Sequence, residues 1–260
     1  MMVRTNQILC VDCFKLLKQL KDNSVPLIIT DPPYNTDYKY DGFKDSREDY
    51  WEWCENWLKE CYRVLATTGS IYVKQHQKNI FQKGVLMQKV GFKFQNLIIW
   101  KNVSGFPSKN RYVKSYEGIL FFTKSEGFTF NTYAQRAPIT SWTPTKEERL
   151  KGQMNDLWDD IKFIYTGVQV HPEAILKLGT REKAHPCQMP LELARRMILF
   201  SSNKNDLVLD IFNGSGTTTL AAQQLGRKFL GCDINPEYCQ IARNRLKQKT
   251  CSLYYNGITV

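Results

Sequence analysis

An apolar run that stops abruptly at an acid and two prolines is the feature that most constrains this fold. The run Val25–Ile29 is short and rich in β-branched residues, which predicts a buried parallel strand. After Thr30 the chain continues as Asp31-Pro32-Pro33-Tyr34. Proline has no N–H for a sheet ladder and biases the residue before it toward extended backbone. We therefore predict that Asp31 lies at the carboxyl edge of a parallel sheet, where open α/β sheets bind ligands.

The groups in this turn suit a planar base that carries an exocyclic amino group. Such an amine is a poor nucleophile because its lone pair is delocalised into the ring. An enzyme that alkylates it must accept hydrogen bonds from its N–H groups and stabilise the charge that develops on nitrogen. The Asp31 side chain and the Pro32 carbonyl can accept those bonds, Pro33 keeps the turn rigid, and Tyr34 can stack on a base flipped out of a duplex. The alternative is an ordinary strand end that caps a helix.

A second strand, turn and helix late in the chain have the composition of a cofactor-binding loop. The segment Asp206–Phe212 predicts a buried strand, Asn213–Gly216 a tight turn, and Thr217–Ala222 the start of a helix. Glycines let a backbone approach a ligand, and the first turn of a helix offers unpaired N–H groups to a carboxylate or phosphate. The next strand, Phe229–Asp233, ends in an acid that can hold two ribose hydroxyls.

This second turn favours a nucleoside cofactor other than a dinucleotide. A nicotinamide site of the G-x-G-x-x-G type would have glycine where Thr219 stands, and the chain has no G-x(4)-G-K-[ST] phosphate loop. A nucleoside with a carboxylate tail in place of a pyrophosphate fits better, and S-adenosylmethionine is such a molecule.

The remaining pattern alternates strands and helices, as expected for a parallel α/β sheet. Residues 7–13 predict a strand that places Asp12 at the same edge as Asp31, as a helix N-cap or as a ligand contact. Periodicity predicts helices near residues 50–65, 78–90 and after Leu191, with strands at Ser70–Val73, Phe92–Trp100 and Gly118–Thr123.

The charge of the chain indicates a polyanionic partner. Its 260 residues carry a formal net charge of +11, and 42% of them are hydrophobic, enough for a sizeable core.

Residues 35–49 lack periodicity and predict a lid over the base pocket. Residues 130–183 predict a small irregular target-recognition lobe. Its basic residues are Lys146, Arg149, Lys151, Lys162, Lys177 and Arg181, while a loop at 101–118 offers Lys101, Lys109, Arg111 and Lys114 to phosphates or simply to solvent.

Cysteine and histidine usage argues against a metal site. Cys10 and Cys13 form a C-x-x-C, but no second Cys or His pair at zinc spacing accompanies it among the eight cysteines and three histidines. The chain opens with no signal peptide and has no apolar run long enough to span a bilayer. We therefore expect a cytoplasmic protein without a metal or membrane partner.

Three motifs together resemble those of a known enzyme family. Asp31-Pro32-Pro33-Tyr34, Phe212–Gly216 and His185-Pro186-Cys187-Gln188-Met189-Pro190 are similar to motifs of the DNA amino-methyltransferases. The catalytic motif here precedes the cofactor loop, with a variable region between them. This order resembles the β class of adenine-N6 methyltransferases from restriction-modification systems. The resemblance covers most of residues 6–248 and is weakest at 130–183.

The resemblance implies a Rossmann-like methyltransferase sheet with circularly permuted motifs and a role for each matching residue. Residues 1–129 would form the catalytic half, 130–183 the target-recognition region and 184–260 the cofactor-binding half. Asp31 and Pro32 would bind the amine, and Tyr34 would stack on the base. The cofactor would contact Asp12, Asp31, His185, Phe212, Gly214, Ser215, Gly216, Thr217, Thr218 and Asp233. One departure is Ile211 after Asp210, where the family often has proline.

The function implied is methyl transfer from S-adenosylmethionine to N6 of adenine in double-stranded DNA, which protects that DNA from a cognate restriction enzyme. A homodimer is the assembly that the resemblance suggests. Four alternatives stay open: methylation of cytosine N4, an RNA substrate, a catalytically silent DNA-binding module and a nicotinamide oxidoreductase. The acid at position 31 favours adenine over cytosine, and the intact motifs argue against the silent module.

Overall fold

The structure is a computed structural model that describes residues 4–36, 39–40, 43–102, 107, 109–132, 134, 154–166, 170–177, 180–248 and 253–255. Within them the chain forms twelve strands: β1 Gln7–Cys10, β2 Val25–Thr30, β3 Lys39–Tyr40, β4 Phe43–Lys44, β5 Leu65–Gln75, β6 Lys93–Lys101, β7 Tyr116–Thr123, β8 Leu157–Trp158, β9 Ile175–Lys177, β10 Leu207–Asp210, β11 Lys228–Asp233 and β12 Leu253–Tyr255. The described helices are α1 Cys13–Leu17, α2 Tyr50–Val64, α3 Ile80–Val90, α4 Leu191–Ser201, α5 Thr217–Gln224 and α6 Pro236–Gln248.

Eight of these strands form one mixed sheet in the order β1-β11-β10-β2-β5-β7-β6-β8. The first five are parallel to one another, whereas β7 runs antiparallel to both β5 and β6. Strand β1 is separated from β2 by β11 and β10. The carboxyl ends of β1, β2, β10 and β11 therefore meet at one edge. The predicted α/β sheet, with Asp31 following β2 at this edge, is confirmed.

The sheet is covered on both faces, which explains why its central strands read as continuous apolar runs. On β2, Ile28 packs into a core with helices α1, α2 and α3, while Leu27 and Ile29 point to the opposite core with helices α4, α5 and α6. This alternation is the period of two that any strand imposes on its side chains. Trp57 and Leu58 of α2 are fully buried in the first of these cores.

Part of the region predicted as a recognition lobe is built into the sheet. Strand β8 pairs in parallel with the end of β6, and Trp158 is buried there. Beside it, Asp160 accepts two hydrogen bonds, of 2.9 and 2.6 Å, from the buried guanidinium of Arg196 on α4. Lys162 and Arg181 are exposed and Lys177 is partly exposed. Lys146, Arg149 and Lys151 lie outside the described residues, as do residues 37, 38, 41 and 42 of the predicted lid.

Replacing Asp160 by alanine should lower the free energy of unfolding by about 2 kcal/mol, because the charge of Arg196 loses its bidentate partner inside the protein. Urea denaturation measures this loss. The matched control is Lys59→Ala, which removes a pair with Glu55 of similar length, 2.8 Å, on the surface of α2. That change should cost less than about 0.5 kcal/mol. Equal losses in the two variants would contradict an anchoring role for the Asp160–Arg196 pair.

No helix among the described residues combines the length and the apolar content needed to cross a membrane. The described residues also contain no cluster of three or more candidate metal-binding side chains.

Candidate active site

A cleft lies at the carboxyl edge of the sheet, above β2, β10 and β11. Counted with the solvent in its mouth, the cleft has a volume of about 1180 Å³. Of the predicted site residues, the cleft wall includes Asp12, Asp31, Pro33, Tyr34, His185, Phe212, Gly214, Ser215, Thr217, Thr218 and Asp233. Two distant stretches of sequence therefore meet in one cavity.

The other predicted site residues lie away from the cleft wall. Pro32 is buried within the turn that follows β2. Gly216 packs under the glycine turn against α6. Lys101, Lys109 and Arg111 are exposed on the surface, and Lys114 forms an ion pair of 3.0 Å with Glu117.

The glycine turn after β10 is shaped so tightly that side chains are excluded from two positions. Gly214 and Gly216 have φ values of +47° and +84°, which is backbone that L side chains rarely adopt. A Cβ on Gly214 would lie 2.7 Å from Nε2 of His185, and one on Gly216 would lie 2.6 Å from the Cβ of Ala242. The Gly214 N–H donates a 2.9 Å hydrogen bond to Asp233, so the acid after β11 also holds the turn.

His185 faces this turn as a neutral imidazole. Burial, followed by the charge of Arg245, lowers its pKa to about 3. Its ring lies 4.4 Å, centroid to centroid, from that of Tyr238 on α6. Its Nδ1 atom is buried and has no hydrogen-bond partner among the described residues. Nε2 is the ring nitrogen nearest Gly214, and the ring lines the cleft, so His185 presents a polar edge to a ligand there.

Aromatic rings also form part of the cleft wall. Phe212 lies with its ring centroid 5.4 Å from Trp53 and 5.6 Å from Trp57, both on α2. The guanidinium of Arg47 lies over Trp53 at 5.1 Å and lines the mouth of the cleft. This wall offers a flat apolar surface to the ring of a nucleoside.

The charged lining of the cleft distinguishes between cofactor classes. It contains the carboxyl groups of Asp12, Asp31, Asp210 and Asp233, against the single cation Arg47 among the described lining residues. Such a lining repels a pyrophosphate but attracts a sulfonium or ammonium group. The residues present therefore fit S-adenosylmethionine, which carries both cations, better than a dinucleotide. Asp12 also caps α1, because its carboxylate accepts a 2.8 Å hydrogen bond from the Phe14 N–H.

Asp31 belongs to a buried network of charges. Tyr34 donates its hydroxyl hydrogen to Oδ1 of Asp31, while the Lys74 ammonium lies 3.1 Å from Oδ2 and 2.6 Å from the Tyr34 hydroxyl oxygen. Lys74 also pairs with Glu117 at 2.7 Å. The turn itself is held by Asp45, which accepts a 3.0 Å bond from the Tyr34 N–H. The Asp31 carboxylate is thus fixed from several sides.

Asp210 is a further buried acid, at the end of β10 between the two motifs. Its carboxylate accepts 3.1 Å hydrogen bonds from the Thr30 hydroxyl and the Phe212 N–H. Burial nevertheless raises its pKa to about 7. Asp210 lines the cleft, so the negative charge that it gains near neutral pH lies where a cationic cofactor would bind.

The raised pKa of Asp210 should make the stability of the ligand-free protein depend on pH. The folded state binds the Asp210 proton more tightly than the unfolded chain does. Its contribution to stability is therefore complete below about pH 4 and lost as the pH rises to about 7. In Asp210→Asn, urea denaturation should show a smaller fall of the unfolding free energy between pH 4 and 8 than in the unchanged protein. An identical fall in both would mean that Asp210 does not titrate there.

A family model described as DNA methylase matches residues 25–244, which include both motifs and most of the sheet. The chain belongs to this family of DNA methylases. Similar proteins are named as methyltransferases. The chain is 36% identical over 244 residues to the Type II methyltransferase M.HpaI of Haemophilus parainfluenzae, covering 92% of this chain and 74% of that one. It is 34% identical over 267 residues to the Type II methyltransferase M1.MboII of Moraxella bovis, covering 95% and 98%.

Solved structures of other methylases share the fold. The complex of M1.HpyAVI with SAM aligns with a TM-score of 0.63 at 25% identity, covering 92% of this chain and 98% of that one. The PvuII DNA methyltransferase, described as cytosine-N4-specific, aligns with a TM-score of 0.70 at 20% identity, covering 100% and 97%. The second likeness concerns the fold alone, so the sheet by itself does not decide which base a methylase of this family modifies.

Several side chains of the methylase cleft escape sequence-based prediction. Trp53 and Arg47 belong to segments predicted as core helix and lid, and Tyr238 to a helix with no motif. Lys74 and Glu117 carry no local signal, because only the pairing of β5 with β2 on one side and with β7 on the other brings them to Asp31. Asp210 is the exception, since an acid that ends a buried strand, three residues before the glycine turn begins at Asn213, repeats the pattern of Asp31 and Asp233.

Proposed function

We propose that this chain is a site-specific DNA methyltransferase that transfers a methyl group from S-adenosylmethionine to N6 of an adenine flipped out of duplex DNA. The observation that carries the proposal is the convergence of the Asp31 turn and the Gly214 turn on one cleft lined by acids and aromatic rings. The choice of adenine is supported by a relative named DNA adenine methyltransferase YhdJ of Escherichia coli, which is 34% identical over 252 residues.

The cofactor half of the cleft orients the methyl donor. The bound cofactor supplies a methyl group on a positively charged sulfur. Gly214 lets the backbone approach the cofactor's amino acid part, and the neutral His185 has a free nitrogen for its polar atoms. Asp233 is placed for the ribose, since each of its oxygens keeps acceptor capacity beyond the one bond it accepts from the Gly214 or Asn235 N–H. Phe212 and Trp53 form the part of the cleft wall that packs against the adenine ring of the cofactor.

The catalytic half acts on the amine of the target base. Asp31 and the Pro32 carbonyl accept hydrogen bonds from its two N–H groups, which directs the nitrogen lone pair toward the methyl group. With S-adenosylmethionine held by the cofactor half, this nitrogen would receive the methyl group, the thioether S-adenosylhomocysteine would remain as the second product, and the proton lost from nitrogen would pass to solvent. The Tyr34 hydroxyl donates its hydrogen to Oδ1 of Asp31. Tyr34 must therefore turn away from Asp31 to stack on the base.

The DNA partner follows from charge and from family membership. The net charge of +11 attracts the phosphate backbone, and the exposed Lys101, Lys109 and Arg111 are the candidate phosphate contacts. We extend the proposal to protection against a cognate restriction enzyme, as for the type II relatives, and to a homodimer that acts in the cytoplasm. The second candidate activity is methylation of cytosine N4, which the fold shared with the PvuII enzyme leaves open.

Sequencing of DNA from a host that lacks its own DNA methylation, after expression of this chain, tests the proposal. Modified adenines confined to one short sequence motif would support it, provided that they are absent when Asp31→Ala is expressed instead. Modified cytosines in such a motif would select the second activity. Modified adenines scattered without a motif would contradict site specificity.

A further inference from the structure

We propose that Lys74 is a positioning residue for methyl transfer: it keeps the Asp31 carboxylate ionised and holds Oδ2, so that Oδ1 is presented to the amine of the target base. The neighbouring Glu117 tunes this effect by sharing the charge of Lys74. This inference rests on the proposed function and assigns a role to two residues that lie outside the catalytic turn.

The sheet itself places Lys74 beside Asp31. Strands β2 and β5 are parallel neighbours in which Thr30 is paired with Val73, so the residues that follow these two also lie side by side. The Lys74 side chain is 8% exposed and that of Asp31 18% exposed. At a separation of 3.1 Å, with little water between them, their attraction is screened much less than in a surface pair. Lys74 is therefore held by the rigid sheet at the site of chemistry.

Burial makes a cation necessary at this position. Removal from water raises the pKa of Asp31, and the charge of Lys74 is the main influence that opposes the rise. A protonated Asp31 would have a hydrogen on one oxygen and would stabilise developing positive charge on the amine less well than a carboxylate does. Lys74 keeps the carboxylate form available.

Lys74 is suited to remain protonated and not to act as a proton donor in the reaction. Although burial lowers the pKa of Lys74, the charges of Asp31 and Glu117 together raise it above its ordinary value. An ammonium so stabilised does not release a proton to Asp31 or Glu117 during turnover. Its role is electrostatic and geometric.

Glu117 weakens the effect of the Lys74 charge on Asp31. Burial opposes its ionisation, but Lys74 and Lys114 together hold the pKa of Glu117 at about 2, so it stays a carboxylate. Its oxygens lie 2.7 Å from Lys74 and 3.0 Å from Lys114. The buried group thus contains two carboxylates and two ammonium ions, and Glu117 raises the pKa of Asp31 while Lys74 lowers it.

Removing the charge of Lys74 (Lys74→Met) and removing the charge of Glu117 (Glu117→Gln) should shift the pH dependence of activity in opposite directions. A purely structural role of these residues would not produce opposite shifts. Other groups that act on this network, and that stay unchanged in both variants, are Tyr34, His76, Lys114, Cys187, His185 and Asp210.

The test is kcat for methyl transfer to duplex DNA as a function of pH, with cofactor and DNA saturating. In Lys74→Met the acidic limb of the profile should move to higher pH by about one to three units, with about a fivefold or greater loss at the pH where the unchanged enzyme is half active. In Glu117→Gln it should move to lower pH, by less. Lys74→Arg, which keeps the charge, should keep the limb in place. Cofactor affinity, measured by calorimetry without DNA, should be the same in all four proteins.

The outcomes separate the inference from the function on which it rests. A uniform loss of activity at every pH in Lys74→Met, or a shift of both variants in the same direction, would overturn the role of Lys74 while leaving the methyltransferase intact. If Lys74→Met does not fold, the direction of the Glu117→Gln shift decides: an upward shift or none overturns the inference. An unchanged enzyme that transfers no methyl group to DNA would overturn both.

Discussion

Replacement of Asp31 by alanine should reduce the rate of methyl transfer to DNA by about 10³-fold or more, the scale set by loss of a preorganised group at the site of developing charge. In the proposed mechanism the Asp31 carboxylate accepts the hydrogen bond that orients the amine, and alanine offers no acceptor in its place. Removal also leaves the ammonium of Lys74 facing the amine as that nitrogen becomes positive, which adds repulsion. Single-turnover transfer of a labelled methyl group measures the effect.

Asp31→Asn is the matched variant for this prediction. It keeps the shape of the side chain and one oxygen acceptor but removes the charge. We expect its activity to fall between those of Asp31→Ala and the unchanged protein. Cofactor affinity should stay within a few-fold in both variants, because the glycine turn, His185 and Phe212 are untouched. Undiminished transfer by Asp31→Ala would exclude Asp31 from the chemistry.

Replacement of Gly214 by alanine should weaken cofactor binding by about 100-fold, equivalent to nearly 3 kcal/mol. Two costs combine here. The residue has φ +47°, which disfavours any side chain. In addition, the new methyl group would lie 2.7 Å from Nε2 of His185, so that the imidazole or the turn must move. Calorimetric titration with S-adenosylmethionine measures the loss.

Gly226→Ala is the control for the backbone cost alone. Gly226 also has a positive φ, +71°, but a Cβ there meets no atom within 4 Å. This variant should lose stability without losing cofactor affinity. If Gly226→Ala weakened the cofactor as much as Gly214→Ala, general destabilisation would explain the result and the close approach at Gly214 would be irrelevant.

Local patterns predicted the parallel strands and the two motif turns because the physics that fixes them is local. An apolar run ended by Asp31-Pro32-Pro33, or followed by Asn213–Gly216, leaves the backbone few other conformations. Helices α2, α3 and α4 likewise form within a few residues of the predicted positions. Element ends were less accurate: the strands predicted through Cys13 and Phe212 end at Cys10 and Asp210.

The electrostatic environment of the site was not predictable, because it depends on pairing between distant segments. Lys74 follows Val73 as an ordinary strand terminus, and only the order β2-β5-β7 brings it between Asp31 and Glu117. Trp158 gave no signal that β8 joins the sheet, since a strand of two residues has no periodicity to detect. The aromatic contact of Trp53 with Phe212 depends in the same way on how α2 packs over the cofactor turn.

The central claim is tested most directly by incubating the protein with methyl-labelled S-adenosylmethionine and mixed-sequence duplex DNA, digesting the DNA to nucleosides and identifying the one that carries label. The account predicts label in N6-methyladenine nucleoside, and no label with Asp31→Ala. Label in N4-methylcytosine nucleoside would contradict the choice of base, and absence of label from a protein that binds the cofactor would contradict DNA methylation itself.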